Sequence, residues 1–334
     1  ISLRERVRIE QQVFNSLRKL DALQDLIDDP EVSEIMVNGP QNIFYEKFGC
    51  VHKWEQSFSS EEKMQDIIQQ IVGRHNRVVN LSNPIVDTRL NDGSRVNIVL
   101  SPISLDGSAI TIRKFPEHPL DMDALIKKGA ISKEAADLLK YLVQAKYSLL
   151  ISGGTSSGKT TFLNALSQYI PEDERVITIE DSAELQLHNI NNIVRLEARV
   201  ANLEGTNAVS IRDLIKASLR MRPDRIVVGE VRGPEAIDML QAMNTGHDGS
   251  LSTGHANSPK DMMTRLETMV LMGMEMPVTA IRSQISSAID IVVHLARLRD
   301  KSRKVVQIAE VGDYIGGEVA LTPLYKFVET GQDK

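Results

Sequence analysis

The stretch "YSLLISGGTSSGKTTFLNALSQY", residues 147–169, decides the fold. Its centre, Gly153 to Thr160, fits G-x-x-x-x-G-K-[ST], with Gly153, Gly158, Lys159 and Thr160 at the four specified places. The apolar run before it has the length of a buried strand. After it, Phe162, Leu163, Leu166 and Tyr169 fall on one face of a helix. In a strand–glycine loop–helix unit, the backbone N–H groups from Gly153 through Gly154, Thr155, Ser156, Ser157 and Gly158 can converge on phosphate oxygens. The helix N-terminus adds partial positive charge. Lys159 is then expected at the β- and γ-phosphates and the Thr160 hydroxyl on Mg²⁺, with Thr161 beside it in the first helical turn. These flanks favour a phosphate loop over a ligand-free turn.

Outward from this loop, strand-like and helix-like segments alternate. "SKEAADLLKYLVQA" precedes it; "RVITIE", "SIRDLIKASLRM", "DRIVVGE", "PEAIDMLQAMNTG" and "SLSTGH" follow. That order predicts an α/β domain over 130–334, a mostly parallel sheet with helices on both faces. Ligands of such sheets lie beyond the carboxyl ends of the strands. Two strands end in carboxylates there: "VITIED" gives Glu180 and Asp181, and "RIVVGEVRG" gives Glu230. Gly229 stands where a Walker B aspartate is common, so Glu230 is left to serve the metal shell, the attacking water or both. Residue order alone does not divide these roles between Glu180 and Glu230.

The first third reads differently. Residues 1–30 form a helical segment, with Val7, Val13, Phe14, Leu17, Leu20, Leu23, Leu26 and Ile27 at helical spacing. Short β-type runs, "EIMVN", "NIFYEK" and "CVHKW", come next, then the helix "SSEEKMQDIIQQIVG". A hairpin turned at Asn91-Asp92-Gly93 and the strand "AITIRKF" complete a small α+β domain over 31–115. The proline-bearing stretch 116–129 is expected to be a linker.

Composition narrows the function classes. The chain has 334 residues, 25% of them charged, and a net charge of −6. A nucleic-acid motor wants a basic groove and stacking aromatics, and here aromatics are 4% with Trp54 the single tryptophan. Cys50 is the only cysteine, which excludes an internal disulfide and a cysteine-rich zinc module and suits a reducing, cytoplasmic compartment. No apolar run approaches the roughly 20 residues that span a bilayer. The chain begins without Met and is expected to be a fragment or to lack upstream residues.

Taken in order, "ISGGTSSGKTT", "ITIEDSAELQL", "ASLRMRPDRIVVGEVRG" and "NTGHDGSLSTGHANS" resemble the Walker A loop, acidic box, Walker B segment and His box of the secretion-ATPase superfamily. These are the motors of type II and type IV secretion and of type IV pili. The wording of the last two motifs is most similar to the CpaF-like tight-adherence pilus branch, with type IV secretion traffic ATPases beside it. The resemblance implies a PAS-like N-terminal domain before a RecA-like ATPase domain, ATP and Mg²⁺ as cofactors, and a homohexamer. It also implies an inner-membrane platform protein as partner, so that the chain is peripheral to the membrane, with no direct nucleic-acid partner. By the same resemblance Glu180 and Glu230 are catalytic carboxylates, and His247 and His255 are the two His-box positions, the second near the γ-phosphate. Arg89, Arg95 and Arg113 of the N-terminal hairpin strands are expected to meet nucleotide charge. Arg222, Arg225 and Arg232, around the Walker B strand, are weaker candidates. A bland alternative for either histidine is a turn contact, and a nucleotide-dependent switch without turnover is the rival from another class. A GTPase lacks its N-K-x-D here.

Overall fold

The computed structural model describes residues 19–73, 78–115, 119–199 and 208–329, in two compact units that part between residues 118 and 119. In the first, the strand runs alternate. β1 (Val32–Asn38), β2 (Ile43–Lys47), β3 (Cys50–Lys53), β4 (Ile85–Arg89), β5 (Arg95–Val99) and β6 (Ala109–Arg113) form an antiparallel sheet in the order β3-β2-β1-β6-β5-β4. Val96 and Ile98 of β5 and Ile110 and Ile112 of β6 point into the core, where the helix Glu61–Gly73 lays Met64, Ile67, Ile68 and Ile71. The hairpin at Asn91-Asp92-Gly93 forms as expected, with Gly93 at φ 90°, a conformation that favours glycine. Of the helical segment expected at the N-terminus, Val7, Val13, Phe14 and Leu17 lie outside the described residues. Its described part is a 3₁₀ turn, Asp21–Leu23, and a short helix, Gln24–Asp28, whose Leu23 and Leu26 join this core.

The second unit holds β7 (Leu149–Gly153), β8 (Arg175–Glu180), β9 (Asn192–Glu197), β10 (Arg225–Val231), β11 (Leu251–His255), β12 (Ile291–Arg297), β13 (Arg303–Ile315) and β14 (Glu318–Lys326). They form one sheet in the order β14-β13-β12-β7-β11-β10-β8-β9. It is parallel from β12 to β9, with β13 and β14 antiparallel at one edge. The central strands are apolar on both faces, as doubly covered parallel strands must be. Leu149 and Ile151 meet Phe162, Leu163 and Leu139 on one side. Leu150, Ile226 and Val228 meet Ile237, Leu240, Met262 and Leu266 on the other. No described helix is long and apolar enough to cross a membrane.

The linker expectation needs correcting. Residues 119–129 belong to the second unit and contain the helix Met122–Lys127, capped by the Asp121 carboxylate, which accepts from the Ala124 amide at 2.7 Å. Met122 and Leu125 are buried beside Leu139 and Phe162. Two prolines and mixed charge hid a single amphipathic turn.

At the amino end of the parallel strands, fully buried Arg225 forms a two-point pair with Glu174, Nε to Oε2 at 2.5 Å and Nη2 to Oε1 at 3.1 Å. Its Nη1 also donates to the Gly249 carbonyl at 3.3 Å. Removing one partner of such a pair leaves a buried charge uncompensated. Glu174→Gln is therefore expected to lower unfolding free energy by about 3–5 kcal/mol in denaturant titrations. The double replacement Glu174→Leu/Arg225→Met should recover most of that loss, and an unchanged midpoint in the single variant would refute the assignment.

Candidate active site

The phosphate loop takes its shape from three backbone demands. Gly153 ends β7 where a Cβ would lie 2.5 Å from the Leu295 carbonyl oxygen and 2.6 Å from Ser157 Oγ, so only glycine fits. Ser156, at the exposed tip beside Thr155, has φ 59°, and Gly158 caps the helix Lys159–Ser167 with φ 91°. Thr160 and Thr161 stand half-buried in the first turn of that helix. Ser157 Oγ is buried with no hydrogen-bond partner among the described residues. The largely buried Lys159 ammonium donates to the carbonyls of Gly153 and Gly154 at 3.1 and 3.0 Å and lies 3.3 Å from His255 Nδ1. Burial lowers its pKa, with Glu230 opposing the shift.

His255 reaches the loop through strand pairing. β11 runs parallel to β7 with His255 level with Gly153. Facing an ammonium, Nδ1 acts as acceptor, which leaves the proton on Nε2, and that nitrogen lies 2.8 Å from Glu230 Oε1. Burial holds the imidazole pKa below its ordinary value. Lys159, Arg232 and Arg265 act in the same sense, and Glu230 acts against them. The other oxygen of Glu230 accepts from Arg232 Nη2 at 2.6 Å, and Arg232 Nη1 lies 3.8 Å from Asp181. Charges thus alternate along Lys159, neutral His255, Glu230, Arg232 and Asp181.

Glu180 lies buried at the end of β8. Its Oε1 accepts from the amides of Glu184 and Leu185 at 2.8 and 3.0 Å, while Oε2 has no partner among the described residues. Burial pushes its pKa up to about 7 against the pull of those two amides. The missing Walker B aspartate has a spatial explanation. A Cβ on Gly229 would sit 2.8 Å from Glu180 Cγ, so the Glu180 side chain occupies the volume a larger residue there would need.

Other candidates fall elsewhere. His247 precedes β11, and His255 is the last of that strand's five residues, which rise roughly 3.3 Å each, so the strand's length lies between the two histidines. Its Nδ1 contacts the Ala242 carbonyl at 3.1 Å, so within one chain it is a turn residue at the opposite end of the sheet and not part of the phosphate cluster. Arg225 is committed to Glu174, and Arg222 opens the same amino end of β10; of those three arginines Arg232 alone joins the cluster. Arg89, Arg95 and Arg113 form one row across β4, β5 and β6 of the first unit, in register with one another and with Glu34 of β1. Missed in the sequence is Arg303, which begins β13. Its Nε donates to the Ser156 carbonyl at 3.0 Å, and its Cδ would lie 3.4 Å from a Cβ on Gly158. The basic run "RLRDKSRK" is visible in the sequence, but only the β12–β7 pairing lays it against the loop.

Glu180 also makes a pH-dependent prediction. A carboxyl whose pKa rises on folding stabilises the protein least when ionised, so stability is lost as pH climbs from about 4.5 through about 7. In nucleotide-free protein, the melting-temperature gain from Glu180→Gln is expected to be small at pH 5 and to grow to a plateau above pH 8. A gain independent of pH would show that Glu180 is not a buried, proton-retaining carboxyl.

With this geometry in place, the kinship of the chain is informative. The family model described as "Type II/IV secretion system protein" matches residues 16–324. The chain is 34% identical over 315 residues to the type IV secretion system protein PtlH of Bordetella pertussis, covering 86% of this chain and 93% of that one. Solved structures share the fold. The Legionella pneumophila ATPase DotB superposes with a TM-score of 0.63 at 22% identity, covering 89% of this chain and 80% of DotB. The pilus retraction motor PilT with bound ADP gives a TM-score of 0.65 at 20% identity, covering 92% and 83%. The second unit accordingly has the RecA-like P-loop fold, and it follows a small α+β domain. On a match spanning most of its length, the chain belongs to the type II/IV secretion system protein family.

Proposed function

We propose that this chain is a hexameric motor that couples Mg·ATP hydrolysis to domain motion, driving pilus assembly or protein secretion at an inner-membrane platform. It is an ATP hydrolase. The observation that carries the reading is the Lys159–His255–Glu230 line, which joins the phosphate loop to two neighbouring strand ends. The relatives named above support secretion or pilus machinery in general. The tight-adherence pilus and type IV secretion are two versions of the same proposal, the first resting on motif wording and the second on the PtlH likeness.

The residues fit the cofactors. The Thr160 hydroxyl, Glu180 and Glu230 are oxygen donors of the type hard divalent cations take, and Glu180 Oε2 is a buried oxygen lacking a partner among the described residues. When bound, Mg²⁺ neutralises charge on the β- and γ-phosphates. The loop amides and the helix N-terminus orient the phosphates. Lys159 exchanges loop carbonyls for phosphate oxygens, and that exchange alters what His255 Nδ1 faces. Glu230 is positioned by Arg232 beside His255, while Glu180, with a proton affinity near neutrality, is suited to accept the proton of the attacking water. The first unit's Arg89, Arg95 and Arg113 are assigned to stabilise transferring charge, the role arginines from a second domain or subunit take in such motors. His247, remote from the cluster in its own chain, has no part in this scheme.

The test is Mg²⁺-dependent ATP hydrolysis measured with solution mass. Wild type should turn over as a hexamer. Glu180→Gln should lose turnover by about 10²-fold or more, and Glu230→Gln and His255→Ala should each lower it, while ATP affinity changes little. Full activity in Glu230→Gln would remove it from the chemistry. A monomer that binds ATP and never hydrolyses it would favour a nucleotide-dependent switch.

A further inference from the structure

Beneath the phosphate loop lies a second histidine that the scheme above does not use. His294 of β12 is buried, in parallel register with Ser152 of β7, the residue immediately before Gly153. Its Nδ1 lies 2.7 Å from Ser152 Oγ, and the backbone of Asn257 lies close enough to favour the protonated ring. In the neutral ring with the proton on Nε2, Nδ1 accepts from the Ser152 hydroxyl. Burial holds the ring pKa down, and Lys159 acts in the same sense, while the Asn257 contact and Asp261 oppose it.

Three segments therefore meet on one imidazole. The first is the end of β7, which becomes the phosphate loop. The second is the turn after His255, which leads through Ser258 into the helix Pro259–Gly273. The third is β12 itself. The β12–β13 ladder is irregular at this point: His294 pairs with Gln307 and Leu295 with Val305, so one residue of β13 is extra. Such bulges re-aim side chains and often border active sites. Leu295, just past the bulge, brings its carbonyl against Gly153 closely enough to exclude a side chain there. An apolar residue could fill the same space, and a buried hydrogen-bonded pair adds little net stability over well-matched apolar groups. What an apolar residue lacks is the directed bond to Ser152 and a polar ring beside the Asn257 backbone.

We infer that His294 is a positioning residue: through Ser152 and Asn257 it holds the phosphate loop and the His255 turn in one register, so that Lys159 and Glu230 meet the γ-phosphoryl group together. The inference rests on the proposed ATPase reading.

The experiment compares wild type, His294→Leu, Ser152→Ala and the double variant for melting temperature, ATP affinity and kcat. Each single change strands a buried polar atom and should lower the melting temperature, and the double change should restore the part of the loss that comes from the Ser152–His294 bond. Kcat in the double variant is nevertheless expected to stay at least about tenfold low, with ATP affinity within about twofold. His294→Gln, which keeps a donor and an acceptor, should recover part of kcat. If kcat returns with stability in the double variant, His294 is merely a core residue and the inference fails. If His294→Leu does not fold, His294→Gln against His294→Met decides: equal kcat in the two overturns the inference. A wild-type hexamer with no turnover instead overturns the ATPase reading itself, and with it the inference.

Discussion

The parallel pairing of β7 with β11 is the constraint on which the site depends. It sets His255 level with Gly153, so a residue about a hundred positions downstream arrives beside the lysine of the phosphate loop. The next strand along, β10, then carries Glu230 to the far side of the same imidazole. Because the strands are parallel, their carboxyl ends gather at one edge, and functional groups at those ends converge without long loops. The ammonium, the ring and the carboxylate lie in a line, 3.3 and 2.8 Å apart. A change at any of them is felt by the other two.

The two acidic strand ends divide their environments sharply. Glu180 is enclosed, half satisfied by backbone amides, and raised toward neutrality by desolvation. Glu230 is more open, with both oxygens engaged by His255 and Arg232. Gly229 is what permits the arrangement, since the space a Walker B side chain would take belongs here to Glu180.

Opposite ends of the sheet have opposite work. The amino end is closed by the Arg225–Glu174 pair and the turn bearing His247, where buried groups hold strands together. The carboxyl end carries polar atoms left open, Glu180 Oε2 and Ser157 Oγ among them. Histidines only eight positions apart fall on different ends because an extended strand lies between them.

What the sequence by itself determined was whatever depends on local pattern. The glycine loop between an apolar strand and an amphipathic helix, the alternation of elements after it, the Asn91-Asp92-Gly93 hairpin and the carboxylates at strand ends were all legible, since backbone sterics and periodicity act over a few residues. Family kinship followed from four motifs in order. Tertiary structure alone decided which distant segments became neighbours. It separated His247 from His255, buried Arg225 away from the site, folded residues 122–127 into the core, and laid Arg303 and His294 against the phosphate loop. The antiparallel edge of β13 and β14 and the partly exposed β9 went unread for the same cause. Strand order and register are long-range properties, set by which faces must be covered and which ends can meet, and no window of sequence contains them.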